Sequence, residues 1–311
     1  MKRYCFGIDV GGTTIKLGCF LTEGTLLEKW EIPTRLEENG KYIIPDAAKE
    51  VEKKMEALGI SRQDVQGIGI GVPGPVNDEG EVSRAVNLHW GYKHLVRELE
   101  ELLHLPVKAG NDANVAALGE MWQGAAKGCR NLIMVTLGTG VGGGIIVNGR
   151  IIAGAHGAAG EIGHACVEPK ETERCNCGNY GCLEQMAAAT GVVRLARKEL
   201  ESSDEDSLLR REKITAKDVF DAYKQEDLLA SRVVRKFGEY LGNALAIFSC
   251  VVDPERIVIG GGVSKAGEVL VSVIEPYFRR DAFPACKNIP IVLATLGNDA
   301  GIYGTAKLVL D

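Results

Sequence analysis

Four side chains that commonly bind metals lie close together in the second half of this 311-residue sequence. His164, Cys175, Cys177 and Cys182 follow the spacing H-x10-C-x-C-x4-C. One imidazole and three thiolates complete a tetrahedral Zn²⁺ site, and a site without an open position is structural rather than catalytic. The spacing therefore predicts a structural zinc site, and the alternative is a loop of unrelated thiols.

The pair Asn111-Asp112 is a candidate for proton transfer because it stands immediately before a predicted helix at 113–123. A carboxylate at Asp112 can accept the proton of an attacking hydroxyl while Asn111 holds the substrate. Such a base suits phosphoryl transfer, which depends mainly on positioning and charge stabilisation. The alternative is that Asp112 only caps the helix.

A glycine-rich turn near the start of the chain has the groups that bind a phosphate. The backbone N–H groups of Gly11 and Gly12 can approach an anion closely because no Cβ intervenes. Thr13 and Thr14 can donate hydrogen bonds to phosphate oxygens, and Asp9 can hold a hydrated Mg²⁺. The alternative is an ordinary hairpin turn.

The layout of strand, glycine turn and strand occurs twice, which indicates two related halves. The first copy spans residues 4–20, and the second spans residues 132–147 with Gly138 and Thr139 in its turn. A third glycine cluster is Gly260–Gly262. Two segments match G-x-G-x-x-G, but each runs into a strand or a proline rather than a helix, so neither predicts a dinucleotide site.

Composition limits the class of protein. Hydrophobic residues make up 45% and charged residues 25% of the sequence, as in globular proteins, and helix–strand alternation predicts an α/β fold. A net charge of −6 argues against nucleic acid as the main ligand. No apolar run is long enough for a membrane span, and nine irregularly spaced cysteines favour a reducing cytoplasm.

Together these motifs resemble those of the ROK family (repressors, open reading frames, sugar kinases). The resemblance is spread over nearly the whole chain and follows the family's order. Its most specific part is the pair of segments Gly160–His164 and Cys175–Glu184. The first of these belongs to a longer matching segment, His156–His164. The other matching segments are Gly7–Thr14, Gly69–Pro75, Asn111-Asp112, Thr136–Gly144 and Gly260–Gly262.

The resemblance implies a two-lobed actin-like ATPase (ribonuclease H-like) fold with a duplicated strand–Gly turn–strand core and a zinc knuckle. We expect a small lobe from residues 1–111 plus 297–311, and a larger, zinc-containing lobe from 112–296. Family repressors carry a DNA-binding domain ahead of the first phosphate loop. Since that loop begins at Gly7 here, we expect none.

The implied activity is that of the family's bacterial glucokinases: ATP-dependent phosphorylation of D-glucose at the 6-hydroxyl, a step of glycolysis. Asp112 would be the general base, and His164 would bind zinc with one ring nitrogen and reach the sugar with the other. The residues implied for sugar binding are Gly74, Asn87, Asn111, Asp112, Glu161, His164 and Glu184.

For the second substrate, the resemblance implies ATP with Mg²⁺. The implied phosphate-binding residues are Asp9, Gly11, Gly12, Thr13, Thr14, Gly138 and Thr139, with the nucleoside near Gly261 and Gly262. Lys16 would add positive charge near the phosphates, and the alternative is that it is an ordinary surface lysine.

Three alternatives remain at this point. The first is a kinase for another hexose, such as N-acetylmannosamine or fructose, or one that uses polyphosphate. The second is a non-catalytic sugar sensor, and the third is a zinc-ribbon nucleic-acid binder, which the negative charge disfavours. We expect a homodimer or homotetramer without nucleic-acid or membrane partners.

Overall fold

The computed structural model describes residues 2–310. Its strands are β1 (Tyr4–Val10), β2 (Thr14–Leu21), β3 (Leu26–Pro33), β4 (Val65–Val72), β5 (Val107–Asn111), β6 (Leu132–Leu137), β7 (Val141–Val147), β8 (Arg150–Ile151), β9 (Arg256–Gly260) and β10 (Ile291–Leu293). Its α-helices are α1 (Glu37–Gly40), α2 (Ile43–Leu58), α3 (Leu95–Leu103), α4 (Asp112–Gln123), α5 (Leu183–Ala187), α6 (Ala189–Ser202), α7 (Ala216–Lys224), α8 (Leu228–Val252), α9 (Glu268–Asp281) and α10 (Ala300–Leu308).

The first sheet is mixed and has the order β3-β2-β1-β4-β5. β1 and β2 form the predicted antiparallel hairpin, whose register pairs Val10 with Ile15 beside the glycine turn. β4 and β5 continue the sheet in parallel. Because parallel strands end at the same edge, β1 and β5 bring Asp9 and Asn111 to that edge.

The second sheet has the order β10-β9-β6-β7-β8. Read from the other end, the order is β8-β7-β6-β9-β10, which corresponds strand for strand to β3-β2-β1-β4-β5 in the first sheet. In each sheet the second and third strands lie on one side of the first strand, and two parallel strands lie on its other side. The prediction of two related halves is therefore confirmed. The two mixed sheets give the α/β class that the sequence predicted.

The chain divides into two compact units. The first unit contains the described residues of 1–130, 144–160 and 295–311, and the second contains 131–143 and 161–294. The division differs from the expected lobes because α4 packs against α10 within the first unit. An added Cβ at Gly304 of α10 would lie 1.6 Å from the Val115 carbonyl oxygen of α4, so these helices touch backbone to backbone.

Each unit has an apolar core of its own. In the first unit, β1 and β4 contribute the fully buried side chains of Phe6, Ile8 and Ile68, and α2 contributes buried side chains to the same cluster. In the second, α8 buries Phe237 and Leu241. Among the described residues, every helix is too short or too polar to cross a membrane.

Candidate active site and metal centre

The proposed base Asp112 occupies the first position of α4, immediately after β5. Asn111 is the residue that caps this helix: its Oδ1 accepts hydrogen bonds from the N–H groups of Ala113 at 3.0 Å and Asn114 at 3.2 Å. The possibility that Asp112 is the cap is therefore wrong. The Asp112 carboxylate is exposed, and its Oδ1 accepts a bond from Ala113 N–H at 2.8 Å.

Asn111 also joins this helix start to the loop after β4. Its Nδ2 donates to the carbonyl oxygen of Gly74 at 3.1 Å. An asparagine amide has two N–H donors, so at most one remains for a ligand. Gly74 has φ +102°, and an added Cβ would lie 2.5 Å from the Arg84 carbonyl oxygen, so no other residue fits there without strain. Further along the chain, Asn87 lies in the 3₁₀ turn Val86–Leu88 and is exposed.

The first glycine turn uses some of its own polar groups. Gly11 N–H donates to the Thr14 carbonyl at 2.9 Å, and Thr34 Oγ1 donates to the Gly11 carbonyl at 2.7 Å. Within residues 2–310, the N–H groups of Gly12 and Thr13 have no hydrogen-bond partner, and both residues are exposed. The groups available to an anion are therefore those of Gly12 and Thr13, whereas the sequence had favoured Gly11 and Gly12.

Asp9 lies in a setting suited to a cation. Burial raises the pKa of its carboxyl to about 6; Lys16 opposes the rise and the negative charge of Asp112 adds to it. A Mg²⁺ ion would favour the carboxylate form, and Mg²⁺ is usually held by one or two carboxylates with waters and phosphates. Lys16 Nζ donates to the Asn298 carbonyl at 3.0 Å, so its ammonium is held near this carboxyl.

The second glycine turn, in the second unit, is built in a similar way. Gly138 N–H donates to the Gly140 carbonyl at 2.9 Å. Thr190 Oγ1 donates to the Thr139 carbonyl at 3.0 Å. The N–H groups of Thr139 and Gly140 lack partners within residues 2–310, as do those of Gly12 and Thr13 in the first turn.

Glu184 is positioned by this second turn. Its Oε2 accepts the Val141 N–H at 3.0 Å, and an added Cβ at Gly140 would lie 2.3 Å from the same oxygen. A side chain at Gly140 would therefore displace the carboxylate. The third glycine cluster begins with the last residue of β9. Gly261 has φ +85°, and an added Cβ there would lie 2.5 Å from the Leu137 carbonyl oxygen, whereas an added Cβ at Gly262 would meet no atom within 4 Å.

The four predicted zinc ligands come together in the second unit. One ligand atom from each of His164, Cys175, Cys177 and Cys182 lies within 4.8 Å of all the others. Cys177 Sγ is 3.6 Å from Cys182 Sγ, and Cys175 Sγ is 3.7 Å from His164 Nδ1. A tetrahedral site with Zn–S bonds of about 2.3 Å has sulfur atoms about 3.8 Å apart, so the residues fit a zinc ion.

The imidazole of His164 connects the cluster to the nearby acids. Its Nδ1 faces the thiols, and its Nε2 is 3.9 Å from Glu161 Oε2. Cys175 Sγ is 3.9 Å from Glu184 Oε1. A metal bound to Nδ1 would fix the ring, and Nε2 would then be the nitrogen available to a ligand.

A sequence profile of the ROK family matches residues 5–311. The chain belongs to the ROK family. A protein of Halalkalibacterium halodurans named glucokinase is 45% identical and covers 99% of this chain and 95% of its own.

Two solved ROK structures share the fold. The ROK hexokinase of Thermus thermophilus is 32% identical with a TM-score of 0.83, covering 97% of this chain and 96% of its own. A ROK-family glucokinase of Streptomyces griseus, in complex with glucose and AMPPNP, is 33% identical with a TM-score of 0.77, covering 98% of both chains. The expected actin-like ATPase fold is therefore confirmed.

Two residues that shape this ROK-family site were missed in the sequence. Thr34 directly follows β3 and donates a hydrogen bond to the Gly11 carbonyl, and Thr190 near the start of α6 donates one to the Thr139 carbonyl. Each is a hydroxyl far along the chain from the turn it stabilises, so no local spacing could have indicated it.

Proposed function

We propose that this protein is an ATP-dependent glucokinase, which transfers the terminal phosphoryl group of ATP to the 6-hydroxyl of D-glucose. The observation that carries the proposal is the exposed carboxylate of Asp112 at the start of α4, in a chain 45% identical over its full length to a named glucokinase. A carboxylate at this position can take a proton from an alcohol that enters from solvent.

In the proposed step, Asp112 accepts the proton of the sugar 6-hydroxyl as its oxygen attacks the γ-phosphorus. The new O–P bond forms while the bond from the γ-phosphorus to the β,γ-bridging oxygen breaks, and ADP leaves with that oxygen. A modest base suffices because phosphoryl transfer is accelerated mainly by positioning and charge stabilisation.

We assign the phosphate contacts to the two glycine turns. Gly12 and Thr13 in the first turn and Thr139 in the second have backbone N–H groups without partners in the described chain. Thr13, Thr14 and Thr139 add hydroxyl donors. The remaining assignments for ATP are Gly11 and Gly138 as turn residues, Asp9 for Mg²⁺, Lys16 for charge, and Gly261 and Gly262 beside the nucleoside.

We assign sugar contacts to the following residues, described separately for each unit. Asn111 and Gly74 are linked by a hydrogen bond, so any contact that they make depends on the same loop. In the second unit, His164 belongs to the metal cluster, and Glu161 and Glu184 lie beside it. Their carboxylate oxygens and the Nε2 of His164 suit sugar hydroxyls. Asn87 completes the proposed set from the first unit.

The activity is tested by a turnover panel that crosses hexoses with phosphoryl donors, measured by ADP or phosphate-ester formation. We expect glucose with ATP to give the highest kcat/KM. A preference for N-acetylmannosamine, fructose or polyphosphate would replace glucokinase with another ROK kinase. No product with any hexose and donor would favour the non-catalytic sensor.

We propose that the Cys/His cluster holds one structural Zn²⁺. When bound, the ion would fold the knuckle and orient the His164 ring; it takes no part in the chemical step. We expect about one zinc per chain, and we expect Cys175→Ser to lose the metal and to raise KM for glucose more than it lowers kcat.

The zinc prediction is checked by metal analysis of freshly purified protein, with Cys250→Ser as the matched control. Cys250 is exposed on α8 and lies outside the cluster, so its loss should leave metal content and KM unchanged. Metal-free protein with a full affinity for glucose would contradict the proposal.

We also propose that the enzyme acts as a homodimer or homotetramer in the cytoplasm, where nine unpaired cysteines remain reduced.

A further inference from the structure

A cavity of about 690 Å³ lies in the first unit, lined by none of the residues assigned to ATP, sugar or zinc. Its walls come from β5, α4, the segment after α4, the β7–β8 turn and α10. Its volume is within the range of about 300–1,000 Å³ typical of small-molecule sites. The cavity is therefore large enough for an organic ligand rather than a single ion.

The charged lining of this cavity is entirely basic among the described residues. Lys108, Arg130, Arg150 and Lys307 line it, and no aspartate or glutamate does. Lys108 and Arg150 are exposed, and their side chains make no hydrogen bond or ion pair with any other residue of 2–310. Two cations without a counter-charge in one cavity attract an anion and lack a protein partner that would compete with it.

Four of the other lining residues are large and apolar. Leu118 and Met121 come from α4, Ile151 from β8 and Leu308 from α10. Leu118 is buried, so the wall is part of the packed unit. An inorganic anion would leave this apolar wall in contact with water, whereas an organic anion would cover it.

We propose that this cavity is a binding site for a phosphate monoester with an apolar body. A phosphate monoester carries a charge of about −1.5 to −2 at neutral pH and three acceptor oxygens, which match the uncompensated charges of Lys108 and Arg150. The arginine can hold two phosphate oxygens at once, and the lysine acts as a point charge. The body of the ligand would lie against Met121 and Ile151.

Cys129 provides a local readout because it lines the same cavity and is partly exposed. The probe is phenyl phosphate, compared with phenol (no charge), benzoate (one charge) and inorganic phosphate (no body). Saturating glucose and AMPPNP are present throughout. Iodoacetamide alkylation of Cys129 is followed by peptide mass spectrometry, with exposed Cys250 in the second unit as the internal reference, and affinity is measured by calorimetry.

We expect phenyl phosphate to slow alkylation of Cys129 severalfold without affecting Cys250. Benzoate and inorganic phosphate should protect less, and phenol least. Arg150→Gln and Lys108→Gln should each weaken binding about tenfold or more, since each removes a charged hydrogen bond. The matched controls Arg197→Gln and Lys49→Gln remove exposed cations elsewhere and should bind phenyl phosphate like the wild type.

Three results would overturn the proposal. The first is unchanged alkylation of Cys129 at about 10 mM phenyl phosphate, and the second is equal affinity of Arg150→Gln and the wild type for phenyl phosphate. The third is equal protection of Cys129 by inorganic phosphate, which would indicate a simple anion site. Circular dichroism establishes that each variant is folded. The readouts are binding and alkylation, so a failed kinase assay would not affect them.

Discussion

Replacing Asp112 by asparagine is expected to lower kcat for glucose phosphorylation by ~10²–10⁴-fold while glucose still binds. Asparagine keeps an Oδ1 that can accept the Ala113 N–H bond, so the start of α4 is preserved. It cannot take up the proton of the sugar hydroxyl. The measurements are steady-state kinetics with ATP and calorimetric titration with glucose.

The matched control is Asp204→Asn, which removes an exposed carboxylate in the charged segment after α6. Its kcat should equal that of the wild type. An Asp112→Asn enzyme with undiminished kcat would mean that another group deprotonates the sugar. If glucose binding were lost as well, Asp112 would be a binding residue, and its role as base would need separate evidence.

Replacing Gly304 by alanine is expected to destabilise the first unit by about 3 kcal/mol or more. Helix propensity alone favours alanine over glycine by about 1 kcal/mol, so the intrinsic preference has the opposite sign. The packing decides the outcome, because the new methyl group would lie 1.6 Å from the Val115 carbonyl oxygen and 2.9 Å from Gly119 N. α10 and α4 would have to move apart.

Urea unfolding measures this change, with Gly91→Ala as the control, because an added Cβ at Gly91 meets no atom within 4 Å. The control should change stability by less than about 0.5 kcal/mol. A Gly304→Ala protein as stable as the wild type would show that the two helices separate at little cost. Since α4 begins with Asp112, such a separation should also reduce activity.

Short-range patterns predicted much of this site. The zinc ligands all lie within residues 164–182, so their spacing was informative. Each glycine turn connects two strands that are neighbours in the sequence. One helix boundary differs from the sequence pattern. The sequence pattern of 184–200 indicates one helix, but Ala188 adopts an extended conformation and separates α5 from α6.

Other features depend on contacts between distant parts of the chain. Asn111 caps α4 because its Oδ1 accepts the Ala113 N–H, and its Nδ2 also donates to the carbonyl of the distant Gly74. α10 was not predicted, yet its start lies beside Asp9: an added Cβ at Gly301 would be 2.4 Å from the Asp9 carboxylate.

Residue order along the chain was enough to indicate which chemical groups this ROK-family protein contains, because turns, caps and metal knuckles are built from neighbours. It could not indicate which of those groups remain available to a ligand. Gly11 N–H is occupied by Thr14, whereas Gly12 and Thr13 are left open, and Lys108 and Arg150 line one cavity from strands far apart in sequence. Hydrogen-bond partners and burial are set by packing between distant segments, so availability emerges only once the chain is folded.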